Sequence, residues 1–362
     1  MDASVRGIRI SNPARIIYPK LGFSKLDLVR YYDRVAERML PHVVDRPLTL
    51  VHCPDGLNAP CNYMRHRKVW GPDVLRRVTI QEKTKVGEYL AVDNIEGVIA
   101  LAQMGVVEIH TWNSTTADIE RPNRLVWDFD PGPTTRFADV VAAAKALRAL
   151  LETLGLESWL KTTGGHGLHV VAPIVPHRQW DECLEFARAV AAALAATDPQ
   201  LYTITFAKHG RESKILIDYL RNNRTNTSVC AYSARARESA TISMPIGWAQ
   251  LSAGLKTERY TVKIAPAALE ADPWRDYWKA RQKISKAAFD AIRRMSAAGT
   301  TAPAAPTRQS RTGAKAQLAA PKRARSRGAK AEPAAPNRAR SKGAKAEPAA
   351  PKRGRNGGAK AG

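Results

Sequence analysis

The chain of 362 residues is long enough for one large or two ordinary domains with a real core, and 57 Lys and Arg against 33 Asp and Glu give it a net charge of +24. Such an excess points to a polyanionic partner, most simply nucleic acid, while the absence of any run near ~18 apolar residues and of an apolar leader core argues against a membrane protein. Cysteines at 53, 61, 183 and 230 form no C-x-x-C pair, which argues against a disulfide framework, and Cys53, Cys61, His52 and His66 fit no familiar zinc spacing.

The first predicted element is a helix. Ser24 precedes Lys25-Leu26-Asp27 in a capping-box-like start, and Leu28, Tyr31, Tyr32, Val35 and Met39 recur at helical spacing to about Leu40. Residues 47–110 read as short strands and turns, with strands from Leu48 to Cys53, Val78 to Ile80 and Tyr89 to Val92 and a turn at Pro54-Asp55-Gly56. An apolar helix around Ile95 to Met104 leads into Glu108-Ile109-His110-Thr111-Trp112. Next come the apolar run Leu125-Val126-Trp127-Asp128-Phe129-Asp130 and a helix from Phe137 to Leu154 that Gly155 stops. The turn Thr163-Gly164-Gly165-His166-Gly167 opens a strand over 168–174, and a helix covers about Gln179 to Ala196. Another apolar run, Ile215-Leu216-Ile217-Asp218, follows, and the text from Asp272 to Met295 is helical and charged. Strands alternating with helices argue for an α/β or α+β fold with acidic residues on a central sheet.

A strand alternates its side chains, so Asp128 and Asp130 point to one face, and a neighbouring strand brings Asp218 beside them. A D-x-D at a strand end often only caps the next helix. A third carboxylate in an apolar run is costly to bury alone, however, and the glycine turn lets backbone amides approach an anion. Three mutually repelling carboxylates with divalent cations between them make a two-metal phosphoryl-transfer site.

From residue 300 onward 16 Lys and Arg stand against two Glu, so +14 of the +24 lies in a tail and residues 1–299 keep about +10. A 15-residue unit starting at Gly313 recurs from Gly328 and Gly343. Rich in Lys, Arg, Ala and Pro and almost without apolar bulk, this tail is expected to be disordered and to bind phosphate backbones without sequence preference. The expected domains are therefore 1–299 and 300–362.

Together, Asp128-Phe129-Asp130-Pro131-Gly132, the turn and strand from Gly164 to His169, and Asp218-Tyr219-Leu220-Arg221-Asn222 resemble the polymerase domain of bacterial ligase D. That domain is a primase-polymerase of the archaeo-eukaryotic primase superfamily that serves non-homologous end joining. The resemblance runs from Ile10 to about Trp278 and includes residues 108–112 and Met244-Pro245-Ile246-Gly247-Trp248. It implies a split fold in which an RNA-recognition-like catalytic module packs on a smaller N-terminal region, with the site in the cleft between. It also implies metal-dependent addition of nucleotides, often ribonucleotides, to DNA 3′ ends at gaps or breaks, using two Mn2+ or Mg2+ ions.

Residue by residue, the resemblance makes Asp128, Asp130 and Asp218 the catalytic metal carboxylates. It places Thr163, Gly165, His166, His169, Arg221 and Arg235 around the incoming triphosphate and His110 in the nucleotide pocket. Asn12, Arg15 and Lys25 would receive a downstream 5′-phosphate, and Tyr63 would stack on the template. The implied partners are nucleoside triphosphates, DNA ends, Ku and a separate ligase, since the ligase and phosphoesterase segments usual beside this domain do not occur here. A monomer in the cytoplasm, associated with the nucleoid, is expected. Two positions depart from the family: His166 stands where Lys is common in the glycine turn, and Asn62-Tyr63 replaces an aromatic pair. Two further readings of the same residues are a two-metal nuclease or phosphoesterase, in which the carboxylates activate water, and a non-catalytic DNA-end scaffold.

Overall fold

The computed structural model describes residues 3–66, 72–207 and 209–301. Two small hairpins, β1 (Ala3–Val5) with β2 (Ile8–Ile10) and β3 (Ile16–Tyr18) with β4 (Phe23–Ser24), precede α1 (Lys25–Val43). Then follow β5 (Leu48–His52), β6 (Asn62–Met64), β7 (Arg76–Gln81), β8 (Val86–Ala91), α2 (Ile95–Gln103), β9 (Val106–Thr111) and β10 (Arg124–Pro131). The remaining elements are α3 (Phe137–Thr153), β11 (Trp159–Thr162), β12 (Leu168–Pro173), α4 (Trp180–Thr197), β13 (Tyr202–Thr203), β14 (Ile215–Asp218), β15 (Ser228–Val229), β16 (Pro245–Ile246) and α5 (Lys286–Thr301).

Local chemistry sets most of these boundaries. The Ser24 hydroxyl accepts from the Asp27 amide while the Asp27 carboxylate accepts from the Ser24 amide, so the expected capping box starts α1. Asn94 caps α2 through the Gly97 amide, and Gly155, at φ +73°, ends the α3 segment in the left-handed region.

One sheet runs β13-β14-β10-β12-β11-β16, and the other runs β15-β9-β5-β8-β7 with β6 also paired to β5. Every residue of β12 is buried, as in a strand covered on both faces. On β10, Trp127 faces the helical layer and donates its indole N–H to the Ala187 carbonyl of α4 at 3.0 Å. Its neighbours in alternation, Arg124 and Asp128, face the other sheet, where Arg124 donates to the Thr111 hydroxyl and the Trp112 carbonyl. The acidic strand thus presents its carboxylates to a seam between two sheets. This mixed α/β architecture is the expected fold class.

Two expectations change. A disulfide joins Cys53 to Cys61 across the β5–β6 loop, eight residues apart in sequence; pairing across a loop between antiparallel strands needs no C-x-x-C motif. The helix expected from Asp272 begins only at Lys286. Before it, Asp272 holds the Trp274 amide, Gln282 donates to the Pro173 and Glu157 carbonyls, and Trp274 and Tyr277 pack on His42, contacts that an uninterrupted helix would break. α5 also continues past residue 299 to Thr301, and the repeat tail, like Arg67 and Lys68 of the basic stretch after Tyr63, lies outside the described residues. Among the described residues no helix is long and apolar enough to cross a membrane.

Candidate active site

The register of one sheet assembles the site. Asp128 of β10 lies directly opposite Asp218 of β14 on one side and His169 of β12 on the other, and His169 lies opposite Lys161 of β11. Directly opposed residues share a face, so Lys161, His169, Asp128 and Asp218 form one polar row across four strands, with Asp130 two residues along from Asp128. A cavity of about 270 Å3 opens over this row, bounded by Asp128, Asp130, His169 and Arg221. His110, Thr163, Gly165, His166 and Arg235 of the sequence-expected set also line it, whereas Asp218 does not and stands behind Arg221 opposite Asp128. A larger cavity of about 440 Å3 adjoins it across Pro131 and His166, but its walls carry no acidic row.

The charges in this cavity are closely balanced. Arg221 bridges the two facing acids, with its Nη2 at 3.0 Å from Asp128 and 3.2 Å from Asp218, while Arg211 pairs with Asp130 at 3.1 Å. Burial alone would raise the Asp128 carboxyl, yet His169 and the Arg221 guanidinium hold it well below the usual carboxylate range. Burial pushes His169 itself down to about 4, with Lys161 adding to the shift, so at neutral pH the ring is uncharged and Arg221 is the cation opposite Asp128. Asp130 and Asp218 are both raised, by burial first and by the nearby Asp128 charge as well. These hard carboxylate oxygens, still short of positive charge, are the donor set that Mg2+ or Mn2+ prefers. Among the described residues no group of three or more such side chains is placed to hold a metal ion; Arg221 and Arg211 engage the carboxylates instead.

The glycine turn is closed by its own hydrogen bonds. The Gly165 amide donates to the Thr163 hydroxyl at 3.2 Å, and that hydroxyl donates to the Gly167 carbonyl at 3.1 Å, so Thr163 closes the turn from inside. Gly167 is required for packing: a Cβ there would stand 2.3 Å from the Phe129 carbonyl oxygen. The Arg237 guanidinium lies over Gly165, 3.0 Å from where a Cβ would be, and lines the cavity beside the exposed His166. Arg237 therefore brings a full positive charge to the turn at the place where His166 supplies none when neutral.

Sequence reasoning also missed the role of Glu108. Only 6 % exposed, it accepts from His110 Nε2 at 2.8 Å and the Ala236 amide at 2.7 Å and pairs with Arg235 at 3.1 Å. It fixes both residues of this cavity wall, and its place two residues before His110 on one strand was the available signal. Arg235 in turn donates to the Thr163 carbonyl, which ties this wall to the glycine turn.

Asn12, Arg15 and Lys25 come together on the far side of the β5–β6 loop. The Asn12 carbonyl accepts from the Arg15 amide at 3.0 Å, and the Arg15 carbonyl accepts from the Lys25 amide at 2.7 Å. Arg15 reaches the Pro54 carbonyl and Asp55 in the loop, and burial, with Arg15 as a neighbour, lowers the Lys25 ammonium. Tyr63, at the other end of the disulfide-closed loop, is 61 % exposed with its ring 6.5 Å from that of His110.

A family model described as "LigD, primase-polymerase domain" matches residues 24–278. The chain belongs to the LigD primase-polymerase domain family. It is 35 % identical over 292 residues to the multifunctional non-homologous end joining protein LigD of Pseudomonas aeruginosa, covering 79 % of this chain and 34 % of that protein. To the protein of the same description from Mycolicibacterium smegmatis it is 30 % identical over 68 % of this chain and 32 % of that protein. The chain thus spans about a third of the length of these LigD relatives. The fold matches the polymerase domain of Mycobacterium tuberculosis ligase D, solved in complex with DNA, with a TM-score of 0.71 at 27 % identity, over 76 % of this chain and 99 % of that one.

Proposed function

We propose that this LigD-family chain is a template-directed nucleotidyltransferase that extends DNA 3′ ends at gaps and double-strand breaks. The observation that carries the reading is the cavity lined by Asp128 and Asp130 together with Arg221, Arg235 and Arg237, with Asp218 directly opposite Asp128 on the neighbouring strand and joined to it through Arg221. Acids below and guanidiniums above suit a polyanion that arrives with its own divalent cations. Two Mg2+ or Mn2+ ions held by these carboxylates would lower the pKa of a 3′-hydroxyl and neutralise the charge of the leaving pyrophosphate. Arg221, now bridging Asp128 and Asp218, has its guanidinium within reach of both the acids and the cavity, so its fork is available to phosphate oxygens once the acids are otherwise compensated. Arg235, braced by Glu108, binds and orients, and neutral His169 lies 3.3 Å from Asp128 Oδ2 and orients that carboxylate.

The same reading assigns the Asn12, Arg15 and Lys25 patch to a downstream 5′-phosphate and Tyr63 to the template base, and it prefers ribonucleotides and a monomeric enzyme working with Ku. The test is nucleotide incorporation on a gapped duplex bearing a 5′-phosphate, with ribo- and deoxyribonucleotides in parallel and each metal in turn. Templated addition that rises with the 5′-phosphate and disappears in Asp128→Ala is expected. DNA binding without incorporation under either metal would leave the chain a scaffold, and metal-dependent loss of DNA without added nucleotide would make it a nuclease.

A further inference from the structure

Lys161 is a buried cation with no part in the functions assigned so far. It is 3 % exposed, and among the described residues no carboxylate pairs with it. Burial pushes its ammonium down to about 7, and the Asp128 charge works against that fall. An apolar side chain of equal length would fill the space without this penalty, so the position must be accounted for by what the ammonium holds.

It holds two groups. The ammonium donates to the Val229 carbonyl at 2.9 Å and to the Ser243 hydroxyl at 2.8 Å, and Ser243 passes the link on to the Thr162 carbonyl at 2.8 Å. Val229 belongs to β15, an edge strand of the other sheet that pairs with β9, where Val229 lies opposite His110. Thr227, Ser228 and Val229 form the wall of the cavity facing the acidic row. Lys161 therefore crosses the seam from the row that carries Asp128 to the wall that carries His110.

We propose that Lys161 is a positioning residue of the nucleotide pocket, tying the Ser228–Val229 wall to the acidic sheet and so fixing the width of the cleft that receives the triphosphate. The inference rests on the reading of this cavity as a nucleotide site. β15 is two residues long, so few ladder bonds hold this wall, and Lys161 Nζ gives it one more from the opposite sheet. Loss of the link frees the wall to move and weakens nucleotide binding, while the acids, held from β10 and β14, keep their places.

The experiment measures equilibrium binding of a fluorescent ATP analogue in Mg2+ to the full chain, together with KM and kcat for extension of a gapped duplex. Lys161→Met is expected to weaken nucleotide binding and raise KM roughly tenfold, corresponding to about 1.4 kcal/mol, with kcat changed less than about threefold and affinity for gapped DNA unchanged. Ser243→Ala, which removes one acceptor and leaves the ammonium on Val229, is expected to give a smaller shift in the same direction. Wild-type nucleotide affinity in Lys161→Met overturns the proposal, as does a fall in kcat at constant KM, which would place Lys161 with the reacting groups. If Lys161→Met fails to fold, an unchanged affinity in Ser243→Ala overturns it instead. A wild-type chain that binds nucleotide but extends nothing removes the polymerase reading and leaves the Lys161 comparison intact; one that binds no nucleotide removes both.

Discussion

Glu108→Gln is the substitution whose consequence the structure fixes most fully. The Glu108 carboxyl is held at about 2 against an ordinary 4.5: burial pushes it up, and the His110 bond with the Arg235 charge more than reverses that. The folded-state value is depressed, so the contribution to stability is fully present above pH ~4.5 and is lost as pH falls through ~2. At about 1.4 kcal/mol per tenfold change in proton affinity, the gap amounts to about 3 kcal/mol at pH 7. Glutamine is close in shape to the protonated acid and should forfeit most of that. At pH 3 less than half of the wild-type advantage remains, because much of the carboxyl's protonation lies between that pH and ~4.5. Urea unfolding of both proteins at pH 7 and pH 3 reads the difference directly. The variant should be less stable by about 3 kcal/mol at pH 7 and by about half as much or less at pH 3, with weaker nucleotide binding because His110 and Arg235 lose their common anchor. A difference below ~1 kcal/mol at pH 7, or one that does not shrink at pH 3, would refute the assignment of Glu108 as a charged brace.

Arg237→Ala should raise KM for nucleotide several-fold, more at low salt than at high, because an exposed guanidinium acts through a screened field; His166→Lys should lower KM by restoring charge to the turn, and no change in either variant would remove the turn from phosphate binding. Reduction of Cys53–Cys61, or Cys61→Ser, should cost roughly 2–3 kcal/mol by releasing the loop it closes, and unfolding that is indifferent to reductant would count against the bridge. Deleting residues 300–362 should weaken non-specific DNA binding and flatten its dependence on salt while leaving extension of saturating substrate intact; an unchanged salt slope would make the tail a spacer.

What the sequence disclosed follows from how far each signal reaches along the chain. Asp128 and Asp130 share a face because strand alternation is local, and Ser24 announces its helix because the cap is complete within four residues. Asp218 could be guessed as a partner but not paired, since its place opposite Asp128 depends on the register of two strands about ninety residues apart. Lys161 stood in plain view beside the glycine turn; nothing in the text says that it lies opposite His169 and reaches into the other sheet. Arg211 and Arg237 come from loops, where no periodicity predicts direction. The segment after Asp272 was misread because its helical composition is outweighed by aromatic packing on His42 and by the Gln282 bonds, which are tertiary contacts.

The charged seam itself limits what the site can accept. The buried carboxylates survive there because every one has a guanidinium or ring nitrogen in contact: Asp128 has Arg221 and His169, Asp218 has Arg221, and Glu108 has Arg235 and His110, while the exposed Asp130 pairs with Arg211. A bare polyanion entering the cavity would meet that row with only the rim arginines to offset it, and any arginine drawn to the phosphate would leave an acid uncompensated. A neutral ligand would leave the rim charges unused. The ligand that satisfies both layers is an anion accompanied by cations, with the acids taking the cations and the rim taking the anion. This double demand separates the nucleotide reading from a simple phosphate or DNA-backbone groove, for which the row of buried acids would be a liability.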